Sequence, residues 1–182
     1  MDKRQLIIEA AIELFCLNGF DKTSTSAICT KANVSKGLVF HHFKNKNELL
    51  REAFATIATV VEEVSGKIDM TGQPKDRLLS LINTIFDSMA QPEHRRLYQF
   101  NFNVMMQPST REIIADLIAE RSQFQRGIVG SIFSAISEEN SHIRSLLFIA
   151  EIDGIAMHYL FSEEEFPLDL IREQFIKKYC EP

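Results

Sequence analysis

The chain has 182 residues, 45% hydrophobic and 25% charged, with a net charge of −5. That length supports one or two modest domains with a real core, and the balance excludes a disordered or membrane-embedded chain. Seven glycines and five prolines are too few for a turn-rich all-β fold, and no apolar run approaches the roughly 18 residues that span a bilayer.

The first predicted element is a helix whose Ile7, Ala10, Ala11, Leu14 and Phe15 share one stripe. Glu9 and Glu13 interrupt its apolar run, so no signal-peptide layout is expected. Asn18 is its expected C-cap. Gly19 follows, able to take positive φ, with Phe20 set to pack back on Phe15. In "DKTST", Ser24 or Thr25 is the expected N-cap of a short helix through about Ala32. Asn33 suits positive φ, and Ser35 caps the next helix, which lies in "NVSKGLVFHHFKNK" (33–46). Asn45 with Glu48 forms a capping-box pattern that restarts the chain as a helix over about 46–65. Gly66, Gly72 and Pro74 then mark the best candidate boundary.

Beyond it, helical period continues over about 75–90, 93–107, 109–138, 141–162 and 168–179, punctuated by Pro92, Pro108, "SEENS" and Pro167. The expected fold is all-α with about nine helices: a three-helix head over 1–47 and a larger bundle over 48–182. Residues 1–50 hold seven Lys/Arg against five Asp/Glu, which leaves thirteen against twenty for the rest. A basic head on an acidic body suits a DNA-binding module joined to something else.

Helix, four-residue turn, helix is the helix-turn-helix layout. With Val39 and Phe43 as a buried i, i+4 pair, Lys36, Leu38, Phe40 and His41 cannot all be covered by the same seam. Several of them, with Gly37, therefore face outward. Gly37 allows close backbone approach, and the N–H groups after Ser35 form a natural anion site. Adjacent His41 and His42 point about 100° apart on a helix and cannot share a metal ion. Cys16, Cys29 and Cys180 have no ligand spacing and suit a reducing cytoplasm. No catalytic set is suggested, so neither enzyme activity nor a cofactor is expected.

The run "AAIELFCLNGFDKTSTSAICTKANVSKGLVFHHFKNKNELL" resembles the N-terminal domain of the TetR family of bacterial transcriptional repressors. The resemblance implies Thr25 and Ser26 at the phosphate backbone, and Lys36, Gly37, Leu38, Phe40 and His41 in the major groove. It places His42 and Lys46 at flanking phosphates. The family usually has tyrosine at Phe40 and often Thr or Ser at Leu38. Losing those hydroxyls leaves apolar surface suited to thymine methyls.

Recognition by one short helix implies a palindromic double-stranded operator and a homodimer. The expected interface is Ile152, Ile155, Tyr159, Leu170, Ile171 and Phe175, from two helices that the resemblance also implicates. "LYQFNFNVMM" (97–106) mixes aromatic, thioether and amide groups, which suits a small apolar or amphipathic effector. The expected lining is Tyr98, Gln99, Phe102, Met105, Met106, Phe124, Ile128, Phe148, Met157 and His158, although such residues also make plain core. A ligand-responsive repressor is the leading expectation; an effector-less dimeric architectural protein is the alternative.

Overall fold

In the computed structural model, residues 2–162 and 165–181 are described; Met1, Glu163, Glu164 and Pro182 lie outside the described residues. These residues form ten α-helices and no strand: α1 Lys3–Asn18, α2 Thr25–Ala32, α3 Lys36–His42, α4 Lys46–Ser65, α5 Pro74–Ala90, α6 Pro92–Met106, α7 Pro108–Ile113, α8 Ala115–Ile136, α9 Ser141–Phe161 and α10 Leu168–Cys180. The chain divides into two compact units, Met1–Thr59 with Arg96–Ala119 and Val60–Arg95 with Glu120–Pro182. The divisions fall within α4 and α6 and near the start of α8.

In the first unit α1, α2 and α3 pack on one another. α1 buries Ile7, Ile8, Ala11 and Phe15, and Phe15 meets Phe20 at 5.3 Å and Phe100 of α6 at 6.3 Å between ring centroids. α1 runs through Asn18 and is capped at Gly19, where φ is 77°, a value that a Cβ would strain. Buried Thr23 closes the same end by donating to the Gly19 and Leu14 carbonyls at 2.7 and 3.1 Å. Glu13 ties α1 to α2 through Lys31 at 2.5 Å and to α6 through Arg96 at 3.3 Å.

The helix expected over 109–138 is two helices. Ile114 leaves helical geometry (φ −115°, ψ 17°), and its side chain is fully buried. The break releases the Ile113 carbonyl, which accepts from the Arg51 guanidinium of α4 at 2.8 Å; Arg51 also grips both carboxylate oxygens of Asp116 at 2.6 and 2.7 Å. No glycine or proline stands at 113–115, so periodicity alone reads through this junction.

Hydrogen bonding from Arg51 holds the Asp116 carboxyl down to about 2, against the opposing effect of desolvation. Because the folded value is depressed, the tie is complete above the ordinary 3.8 and is lost as pH falls through about 2. In an Arg51→Ala variant, NMR titration of Asp116 should return to near 3.8. An unchanged value there would show that some other group holds the carboxylate.

The second unit is built on an aromatic cluster. Phe148 of α9 lies 5.5 Å from Phe133 of α8, and 5.3 and 5.1 Å from Phe175 and Tyr179 of α10. Phe86 of α5 joins through Phe175 at 5.8 Å, and Arg172 of α10 pairs with Asp87 at 2.9 Å. These tilted and edge-on arrangements are those that aromatic quadrupoles favour.

Candidate nucleic-acid interface

Local chemistry fixes the start of each helix around the turn. The Ser24 hydroxyl accepts from the Ala27 N–H at 3.1 Å, and the Ser35 hydroxyl from the Leu38 N–H at 3.2 Å. Between them Asn33 takes the left-handed conformation (φ 52°, ψ 54°), and the Val34 N–H bonds the Cys29 carbonyl at 3.0 Å. After α3, Asn45 accepts from the Glu48 N–H at 2.9 Å, while the Glu48 carboxylate accepts from the Lys44 N–H at 2.5 Å.

α3 is seated by two side chains, Val39 and Phe43, each 2% exposed. Arg4 lies over the Phe43 ring at 5.5 Å and pairs with Glu52 of α4. Every other residue of α3 is at least partly open: Lys36, Gly37, Phe40 and His41 are exposed, and Leu38 and His42 half-buried. Phe40, 47% exposed, carries the Lys36 ammonium 5.8 Å from its ring centroid. His41 and His42 are neighbours with ring centroids 5.2 Å apart. At the start of α2, Ser26 is exposed and Thr25 half-buried. An added Cβ at Gly37 would meet only the Ser35 hydroxyl at 3.9 Å, so packing within the chain does not require glycine there.

Lys46 has an internal task. Its ammonium donates to the Phe20 and Thr23 carbonyls at 2.9 and 3.1 Å and sits 4.2 Å from the Phe20 ring centroid. The loop between α1 and α2 is thereby pinned to α4. Exposed Lys44, in the turn after α3, was not singled out from the sequence, although it belongs to the same basic run.

The residues expected at an effector pocket divide between the units. Tyr98, Gln99, Phe102 and Met105, all half-buried, and exposed Met106 belong to the first. Phe124, Ile128, Phe148, Met157 and His158 belong to the second. Phe124, Met157 and His158 are exposed and Ile128 half-buried, whereas Phe148 sits in the aromatic cluster at 1% exposure.

Of the expected interface residues, Ile152, Ile155, Tyr159 and Ile171 are half-buried and Leu170 exposed. Phe175 is packed into the second unit's core at 4% exposure. Tyr159 has the Arg95 guanidinium over its ring at 5.2 Å and Phe166 at 6.0 Å. The outward side of α9 is a different stripe: Ile143, Leu147, Ala150, Met157 and Phe161 are exposed, and Gly154 has open space where a Cβ would stand. Those six positions alternate in steps of four and three, the 3.5-residue repeat of a helix seam. The sequence displays that spacing, but it equally displays the inward set Ser145, Phe148, Ile152, Ala156 and Leu160. Among the described residues no group of three or more His, Cys, Asp or Glu is placed to hold a metal ion. No helix there is long and apolar enough to cross a membrane.

Residues 7–53 match the family model for bacterial regulatory proteins, tetR family. An HTH-type transcriptional regulator of Bacillus subtilis, YhgD, is 36% identical over 74 residues, 41% of this chain and 37% of that protein. The chain spans 37%, 46% and 56% of the first three curated relatives it matches. Over the whole length the likeness is one of fold. The regulator FadR from Bacillus subtilis in complex with stearoyl-CoA has a TM-score of 0.77 at 18% identity, over 98% of each chain. AibR in complex with isovaleryl coenzyme A and operator DNA has a TM-score of 0.76 at 17% identity, over 100% of each. A matching head, a regulator among the relatives and a shared all-helical fold lead to one conclusion: residues 7–53 are an N-terminal domain of the tetR family of bacterial regulatory proteins, in a chain that shares its fold with solved transcriptional regulators.

Proposed function

We propose that the protein is a homodimeric operator-binding repressor released from DNA by a small, largely apolar effector. The observation that carries the reading is α3 itself: two residues seat it, and Lys36, Gly37, Phe40 and His41 face outward. Hydroxyls, ammonium groups and helix N-termini hold phosphates, while side chains at the front of the helix reach base edges. Thr25, Ser26, His42 and Lys46 take the flanking phosphates in this reading, and Lys46 also fixes the loop beside them. Residues 1–47 form the DNA-binding domain and 48–182 the effector-binding and dimerisation domain.

The test is selection of sites from randomised duplex DNA, followed by affinity measurements over a range of salt. Each phosphate contact adds about 0.9 to the slope of log affinity against log salt. A Lys36→Ala variant should therefore bind more weakly, with a slope shallower by about 1. A wild-type slope near zero, or no selected site, would refute DNA binding through α3.

Gly37 supplies a sharper check. Glycine in a helix costs roughly 0.5–1 kcal/mol relative to alanine, and nothing inside the chain requires it here. Gly37→Ala should therefore raise thermal stability slightly while weakening operator binding. Parallel gains in both would show that no partner approaches the helix backbone at that point.

For the effector, the solved complexes make acyl-CoA thioesters the first class to test. Half-buried Phe102 and Met105 with polar Gln99, all on α6, suit an acyl chain with an orienting group. Release requires tighter ligand binding to the DNA-incompetent state, by about 1.4 kcal/mol for each tenfold loss of operator affinity. α4, α6 and α8 each continue from one unit into the other, and α4 is the proposed hinge. Isothermal titration giving equal ligand affinities for free and operator-bound protein would eliminate induction and favour the effector-less reading.

A further inference from the structure

Side chains that read base edges by paired hydrogen bonds are chiefly Arg or Lys on guanine and Asn or Gln on adenine. α3, Lys-Gly-Leu-Val-Phe-His-His, contains no Arg, Asn or Gln, and its one lysine, Lys36, lies over the Phe40 ring. Its largest outward group is the apolar ring of Phe40. Val39 and Phe43 already complete the buried seam, so the packing of α3 does not call for a third large apolar group. The Lys36 ammonium, one turn earlier, covers a face of the ring at 5.8 Å. It holds the ring in place by cation–π attraction while the rim remains apolar. Half-buried Leu38 extends the apolar surface. In the major groove thymine is the base that carries a methyl group.

We propose that Phe40 is a specificity-determining residue that selects thymine through its 5-methyl group, with Leu38 widening the apolar contact. The inference rests on α3 entering the major groove. It goes further in assigning sequence choice to apolar contact, leaving the ammonium and imidazole groups of the helix to position it.

The experiment takes a site selected by the full chain and replaces each dT in turn by deoxyuridine, which removes only the methyl. At one or two thymines in each half-site the affinity should fall about three- to fivefold, the equivalent of one methyl returned to water at ~0.8 kcal/mol. Phe40→Ala should bind the unmodified site more weakly and should no longer distinguish thymine from uracil at those positions. Circular dichroism checks that the variant keeps its fold, and Phe40→Leu should retain part of the discrimination. A selected site indifferent to every methyl, or one still sensitive in Phe40→Ala, overturns the inference and leaves groove binding intact. Failure to select any site overturns both.

Discussion

A Leu147→Glu variant is expected to sediment as a monomer and to lose operator affinity on the order of a hundredfold or more. Leu147 is one of the large apolar side chains of the stripe Ile143, Leu147, Ala150, Gly154, Met157 and Phe161, which runs about 27 Å along α9 at a rise of 1.5 Å per residue. A helix apolar on two sides calls for two partners. One side of α9 already has its partners in Phe133, Phe175 and Tyr179. A second copy of the chain is the simplest partner for the other, because a two-fold seam lets identical stripes cover one another. Gly154, with room for a Cβ in the single chain, lets two helix backbones approach.

A carboxylate in that seam would be buried without a counterion, at a cost of several kcal/mol. The loss on DNA follows from linkage between the two heads: joining them makes the second half-site contact intramolecular, which multiplies affinity by roughly 10²–10⁴. Sedimentation velocity and operator titration on the same sample decide the matter. A Leu147→Glu protein that stays dimeric with full affinity would move the interface off this face of α9.

Truncating Phe148 to alanine is expected to destabilise the protein by about 3–5 kcal/mol, the usual cost of emptying a packed aromatic site. For a chain of this length that lowers the thermal midpoint by roughly 10 °C or more. Three rings stand within 5.5 Å of Phe148, so collapse cannot fill the space without moving the cluster. The same measurement separates core from pocket. A loss below about 1 kcal/mol would show that the site is loosely packed and available to a ligand. A large loss would remove Phe148 from the expected effector lining.

What was legible in the sequence has a common physical basis: partners a few residues apart. Ser24, Ser35 and Asn45 cap because a short polar side chain reaches an N–H three residues on. Gly19 and Asn33 take positive φ where the chain must turn between helices. The seam of Val39 and Phe43 follows from helical geometry, and that in turn left Phe40 and His41 outside. The all-helical class and the head motif were determined at this level.

The remaining features depended on partners far along the chain. α7 and α8 separate at Ile114, where Arg51, more than sixty residues earlier, takes the exposed carbonyl. Lys46 turns inward because the Phe20 and Thr23 carbonyls lie within its reach. Phe175 and Leu170 are both apolar residues of one helix, yet only the first meets a ring cluster. On α9 two apolar stripes have comparable hydrophobicity and period. Which of them turns inward is decided by the shape of the surfaces on α8 and α10, and no local rule in the sequence encodes that choice.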